Sequence, residues 1–391
     1  MPYISGRVAH DADAHIMEWP TWLSDHADPE WRERIAPRPS TDGDGRELDM
    51  DRVRARHVHP DHLATEAAEI MTRKNFAATG SFIAEDRPRA LDLLGVASQL
   101  VFNTFHNGRF AAWERTDPEL TYAAARAHNR GMLEFCSVDA RLLPTLYVPL
   151  ADFDASAAIA REAVDAGAAA LLVPSACPKG HSPSHLGLDP VWAIAQDAGI
   201  PIVFHVGGDG DHFNHDYFVN GLPIPPDFHG GEENFRSVDY MGIPQPVMLT
   251  LATMIFDGVF DRFPRLRFGV IEMGAIWMPS WMHQMEAAFD AFARHEERLR
   301  ALELRPSEYV HRQIRATPYP TEDVGWLTRQ LGPDICMFST DFPHVEGGRR
   351  PLERFEASLG DVDDAVRDRF YAGNFADLMG DAVMSVIPTA A

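Results

Sequence analysis

Three stretches of this chain hold residue types that can do chemistry at close spacing. They are Asp11-Ala12-Asp13-Ala14-His15, Phe204-His205-Val206-Gly207-Gly208 and Ser339-Thr340-Asp341-Phe342-Pro343-His344. Alternate residues of a strand project to the same side, so Asp13 and His15 can converge on one point. Adding His205 and Asp341 gives two imidazoles and two carboxylates, a ligand set suited to Zn²⁺ or Mn²⁺. Taken singly, each signal has an ordinary reading: a D-x-H triplet arises by chance, and an aspartate after a strand is commonly a helix cap. What joins them is that each stretch ends a short apolar run.

Those runs read as buried strands separated by helical patterns, the alternation of a parallel sheet covered on both faces. Eight are expected: Arg7 to Ala12, Val96 to Thr104, Leu142 to Pro149, Ala168 to Pro174, Pro201 to Val206, Arg267 to Glu272, Gln313 to Thr317 and Ile335 to Thr340. Helices are expected over Asp154 to Ala166, from an Asp189 cap to Gly199, Pro279 to Arg300, Glu322 to Leu331 and Asp363 to Tyr371. The pattern predicts an α/β fold, a (β/α)₈ TIM barrel in one domain over residues 1–391. Barrel enzymes place their chemistry at the C-terminal ends of the strands. Asp13, His15, His205 and Asp341 fall at the ends of strands one, five and eight.

Two segments exceed the needs of a bare barrel. Residues 13–94 separate the first two strands, and residues 206–246 follow the fifth. Both leave strand ends on the catalytic side, so they are expected as insertions over the barrel mouth. The second is rich in glycine (Gly207, Gly208, Gly210, Gly230, Gly231). Further candidates lie near strand ends. His106 and His344 are expected to touch substrate, whereas His212 and His215 are expected to be solvated. Trp19, Phe105, Phe228, Tyr240 and Trp277 are candidates for pocket walls, or for ordinary packing.

Bulk properties exclude several classes. The formal net charge is −23 over 391 residues, which argues against nucleic acid and against an anionic membrane. Three scattered cysteines, Cys136, Cys177 and Cys336, form no CxxC pair and fit buried thiols in a reducing compartment. The N-terminal residues lack a signal-peptide pattern, and no apolar run spans a bilayer. A cytoplasmic protein is the expectation.

At this point the chain resembles the amidohydrolase-related branch that holds aminocarboxymuconate-semialdehyde decarboxylase and the γ-resorcylate-type decarboxylases. The resemblance rests on Asp13-Ala14-His15, Phe204-His205, Phe263-Pro264-Arg265-Leu266-Arg267, Glu272-Met273-Gly274, Thr340-Asp341-Phe342-Pro343-His344 and Gly373-Asn374-Phe375-Ala376. It implies that Asp13, His15 and His205 bind a divalent metal, and that Asp341 is a ligand or a proton-transfer group. It also implies a homodimer or higher homo-oligomer. Two departures stand out. Two-metal members use a lysine at the end of strand four, but here that strand ends Val173-Pro174-Ser175, with no lysine before Lys179. One metal ion, Zn²⁺ before Mn²⁺, is therefore expected. Many members place a histidine at the end of strand six, where this chain has Glu272. A carboxyl there can donate a proton only if burial raises its pKa. The alternative for Glu272 is a structural ion pair.

The expected activity is non-oxidative decarboxylation of an aromatic or unsaturated carboxylic acid, with Asp341 and Glu272 as catalytic groups. The alternative is a mononuclear hydrolase of a lactone or amide, with Asp341 as base toward a metal-bound water. A barrel that binds a small molecule without catalysis is a third reading, disfavoured by four ligand-type residues at strand ends.

Overall fold

The computed structural model describes residues 1–41, 46–207, 215–223, 237–380 and 383. Seven strands make one parallel sheet in sequential order: β1 His10–His15, β2 Ser98–Phe102, β3 Leu142–Tyr147, β4 Ala170–Leu172, β5 Ile202–His205, β6 Phe268–Ile271 and β7 Ile314–Ala316. Helices run between successive strands, so the protein is an α/β fold. Strands β1, β2, β4, β5 and β6 are buried along their whole lengths, as a sheet covered on both faces requires.

β1 begins and ends three residues later than the apolar run suggests, so Asp13 and His15 lie inside it. Their charge disguised the strand, because buried carboxylates and imidazoles are rare outside a site that pairs them. The pairing of β1 with β2 is irregular. Asp11 stands opposite Gln99 and Ala14 opposite Val101, so one extra β1 residue is accommodated between them. Such bulges re-aim side chains beside active sites.

The expected eighth strand is not a regular one. Residues 335–342 do contact both edge strands. Ala316 N donates to Ile335 O and Met337 N to Ala316 O, while Ala12 N donates to Phe338 O and Asp341 N to Asp13 O. Single bridges pair Ala316 with Cys336 and Ala14 with Phe342. Two features interrupt the ladder. Phe338 N bonds to Phe370 O instead of a strand, and Asp341 takes φ 51°.

The helices agree with expectation except at three places. Asp189 does not cap its helix. The 3₁₀ turn Leu186–Leu188 runs straight into the helix Asp189–Ala198, Leu188 is the N-cap, and the Asp189 carboxylate instead grips the Arg262 guanidinium at 2.9 Å on both oxygens. The single helix expected over Pro279 to Arg300 is two, Met278–Phe292 and Glu297–Arg300. Glu296 is extended at the break, and Arg300 donates to the carbonyls of Ala293 and Arg294 that the break releases. The helix expected from Asp363 winds into a π turn at Arg369–Gly373.

Aromatic side chains of the sheet and of the helix before β6 pack together. Phe260 stacks on Phe268 of β6 at 4.6 Å, and Phe268 faces Phe204 of β5 at 6.3 Å. All three are buried, each stabilising the fold by roughly 2–3 kcal/mol through lost apolar surface. The segment between β1 and β2 carries four helices: Trp22–His26, Met50–His57, Pro60–Glu69 and Arg87–Leu94. Of residues 206–246, the described parts hold a 3₁₀ turn at His215–Phe218 and a helix at Ser237–Gly242. His212, Phe228, Gly208, Gly210, Gly230 and Gly231 lie outside the described residues. Among the described residues, no helix is long and apolar enough to cross a membrane.

Candidate metal centre

β1, β5, the end of β6 and the 335–342 segment bring Asp13, His15, His205, Glu272, Asp341 and His344 together. Asp13, His15, His205 and Glu272 form one group whose ligand-type atoms lie within 4.8 Å of one another, and His15, Glu272, Asp341 and His344 form a second. All six residues are buried. His15 is common to both groups. Its Nε2 is 3.2 Å from Asp13 Oδ1, 3.4 Å from Asp341 Oδ1 and 3.8 Å from Glu272 Oε2. His205 Nε2 is 3.1 Å from Glu272 Oε2 and 3.3 Å from Asp13 Oδ1.

The backbone sets the tautomers. His15 Nδ1 lies 2.9 Å from Asn103 O, and His205 Nδ1 lies 3.0 Å from Val206 O. A carbonyl oxygen only accepts, so both Nδ1 atoms carry the hydrogen, and in the neutral rings both Nε2 lone pairs face the carboxylates. Metal-binding histidines are oriented in this way. Lone pairs and three buried carboxylates facing one another repel unless a cation lies among them, so the donor set fits a divalent ion.

The electrostatics show the same demand. Burial acts to raise the Asp13 carboxyl, but His15 and His205 outweigh it and hold it below its ordinary range. Burial acts to lower His205, but Asp13 and Glu272 drive it well above. A proton on His205 thus does part of a metal's work. His344 is driven well below its ordinary value by burial and by His15, His205 and Lys74. Its ring stacks on His15 at 3.9 Å, its Nδ1 is 3.0 Å from Asp341 Oδ1, and its Nε2 is 2.8 Å from Thr104 Oγ1.

Backbone strain concentrates here. Among the described residues, three non-glycine residues have positive φ: Asn75, Glu272 and Asp341. Such conformations cost roughly 1–3 kcal/mol each and persist only where surroundings impose them. Asp341 is held by its neighbour Thr340, whose N–H and hydroxyl donate to the buried Asp11 carboxylate at 2.8 and 2.6 Å. Gln99 donates to the same carboxylate at 2.9 Å and accepts from Arg87 Nε at 3.0 Å. Arg87 NH1 in turn donates to the carbonyl of His15 at 2.9 Å. Burial lifts the Asp11 pKa to about 6, against these hydrogen bonds.

Sequence reasoning missed several of these supports. Asp11 was visible as a carboxylate inside an apolar run. Thr104 ended an expected strand without being singled out, and Arg87 and Lys74 carried no local signal. Lys74 reaches in from the segment between β1 and β2. Its Nζ is buried and makes no hydrogen bond among the described residues. Burial lowers its pKa to about 8, while Asp341 and Glu346 oppose that.

The remaining candidates spread out. His106 is buried beside Phe110 and His128, at ring separations of 6.2 and 6.4 Å, and joins neither ligand group. Trp19 stacks on Phe82, Phe105 lies against Phe76, and Trp277 Nε1 donates to Met273 O and Gly274 O. Tyr240 packs on Tyr319 at 5.0 Å. A cavity of about 10 Å³ lies among Asp13, Glu272, Thr317, Tyr319, Asp341 and Glu346.

Residues 11–380 match the amidohydrolase family, and the chain belongs to it. A stretch of 141 residues, 36% of this chain, is 24% identical to 2-amino-3-carboxymuconate-6-semialdehyde decarboxylase of Dictyostelium discoideum. The match spans 38% of the length of that relative. Among solved structures, an amidohydrolase of Mycobacterium avium subsp. paratuberculosis K-10 superposes with a TM-score of 0.73 at 22% identity, covering 96% of this chain and 100% of that one. A 5-carboxyvanillate decarboxylase of Novosphingobium aromaticivorans, solved with bound manganese, superposes with a TM-score of 0.65 at 15% identity over 96% and 97% of the two chains.

Proposed function

We propose that this chain is a mononuclear, metal-dependent decarboxylase of an aromatic or unsaturated carboxylic acid. The observation that carries the reading is the gathering of two carbonyl-oriented imidazoles and three buried carboxylates into two ligand groups that share His15 and Glu272. The similarity to decarboxylases supports the reaction class. Asp13, His15, His205 and Asp341 would hold the ion, and manganese in a structural relative makes Mn²⁺ as good a candidate as Zn²⁺. The absence of a lysine at the end of β4 supports a single ion. In the finer fold, residues 335–342 close a (β/α)₈ barrel, and the described parts of residues 13–94 and 206–246 lie over its mouth. A homo-oligomer in the cytoplasm goes with this reading.

A bound divalent ion supplies positive charge for the substrate carboxylate and a neighbouring oxygen. The chain's own groups do the rest. Lys74 offers a buried cation to the anionic substrate, and His344 and His106 line its path. Glu272 or Asp341 delivers a proton to the carbon that bears the carboxylate. The bond to the carboxylate carbon then breaks, CO₂ leaves, and the electron pair returns to the unsaturated system. Water restores the proton to the carboxylate.

The small cavity beside Asp341 has room for one water, the nucleophile that lactone or amide hydrolysis would need. A single panel therefore decides between the two. Protein with its metal content measured is given hydroxybenzoates, 5-carboxyvanillate, a lactone and an anilide. The expected result is about one divalent ion per chain and CO₂ release that chelation abolishes and Mn²⁺ restores. Hydrolysis without CO₂ release would establish the second reading instead.

A further inference from the structure

We propose that Tyr319 and Glu322, on the loop after β7, are positioning residues that hold Glu272 in its catalytic orientation; this rests on Glu272 acting at the metal centre. Glu272 ends β6 at φ 55°. Its N–H donates to Thr317 Oγ1 at 2.9 Å, and its carbonyl accepts from the Tyr319 hydroxyl at 2.7 Å. The turn that follows is pinned too. The Glu322 carboxylate accepts from Ala275 N at 2.9 Å and Ile276 N at 3.4 Å. Glu322 N donates to Tyr319 O at 2.9 Å, which ties the two clamping residues together. Gly274, at φ 65°, lets the clamp close, since a Cβ there would stand 2.6 Å from Glu322 Oε1 and 2.9 Å from the Tyr319 ring.

Thr317 and Tyr319 therefore grip the backbone of one strained residue from both sides, and Glu322 pins the turn that follows it. A glutamate at positive φ relaxes to negative φ when its hydrogen bonds are removed. Relaxation would swing Oε2 away from His205 Nε2, which it now approaches to 3.1 Å. A clamp that serves only the fold would behave differently. Its loss would lower stability but would act independently of the side chain at position 272.

A double-mutant cycle separates these roles, because residues that act through one another are non-additive. Tyr319→Phe and Glu322→Gln are each made in the full chain and in the Glu272→Gln background. Mn²⁺ affinity is read by calorimetry, which needs no substrate. CO₂ release is read with any panel compound that turns over. In the parent, each change is expected to weaken Mn²⁺ binding two- to fivefold. Turnover is expected to fall about tenfold, the scale of one lost hydrogen bond, with KM and one-to-one stoichiometry retained. In the Glu272→Gln background, neither change should alter either quantity by more than twofold. Equal losses in both backgrounds, or no loss in the parent, would overturn the proposal. If no panel compound releases CO₂, the proposed reaction fails while the Mn²⁺ cycle still decides the clamp. If Glu322→Gln does not fold, Tyr319→Phe decides alone.

Discussion

Removing the metal should destabilise this protein, and the loss should grow as pH rises. Asp13 lies within 4.8 Å of Glu272, and Glu272 within 4.8 Å of Asp341, measured between their closest ligand-type oxygens. At that distance and an effective dielectric of about 20, each like-charged pair repels by about 3.5 kcal/mol. Two such pairs come to about 7 kcal/mol that a bound cation offsets. The unfolding entropy of a chain of 391 residues is roughly 0.8 kcal/mol per degree, so chelation should lower Tm by about 8 °C near pH 8. Protons relieve part of this in the metal-free protein. His205 is raised above its ordinary pKa, so the stability its proton confers is fully present below about 6.5 and is lost as pH rises through the folded value. The chelated protein should therefore lie closest to the metal-bound one at pH 6 and furthest from it at pH 8.5. Differential scanning calorimetry with and without chelator, at both pH values, measures the gap. An unchanged Tm on chelation, or a gap that is wider at pH 6, would refute the charge-balance argument.

Three further outcomes are expected. His205→Ala should remove both the metal and turnover, read by elemental analysis and CO₂ release, and retained activity would place the centre elsewhere. Glu272→Gln should keep about one ion per chain, held a few-fold more weakly, and lose turnover by roughly a hundredfold, the scale of general acid–base catalysis; loss of the ion would make Glu272 a ligand. Glu18 accepts hydrogen bonds from Thr104 N and Phe105 N, and burial lifts its pKa to about 7. Its folded form binds a proton more tightly than its unfolded form between about pH 4.5 and 7, so stability falls across that window by on the order of 3 kcal/mol. Glu18→Gln should abolish that slope, leaving the variant more stable than the parent at pH 8 and nearly equal at pH 5 in urea unfolding; parallel curves would show that Glu18 does not titrate there.

The parts of the site that were legible from sequence are those that chain direction alone controls. Asp13, His15, His205 and Asp341 end apolar runs, and a parallel sheet must deliver the ends of its strands to one side. His106 satisfies the same rule but joins neither ligand group. It is the N-cap of the helix Asn107–Thr116, and the first helical turn carries its ring onto Phe110 and His128. Arg87, Lys74 and Tyr319 were illegible for a different reason. They arrive from loops and from the long segment after β1, where no periodicity reports which way a side chain faces. The eighth strand is broken by the bond from Phe338 N to Phe370 O and by the positive φ of Asp341, and neither residue type announces it. The same holds for Glu272. Both carboxylates sit in strained turns, and each is pinned by partners far away in sequence: Asp341 through Thr340 by Asp11, Glu272 by Thr317 and Tyr319, and the turn after Glu272 by Glu322. Strand order placed the carboxylates at the centre, and these distant hydrogen bonds fix where their oxygens point. On the proposed reading, a substitution at Asp11 or Tyr319 should therefore act on the chemistry without touching a ligand.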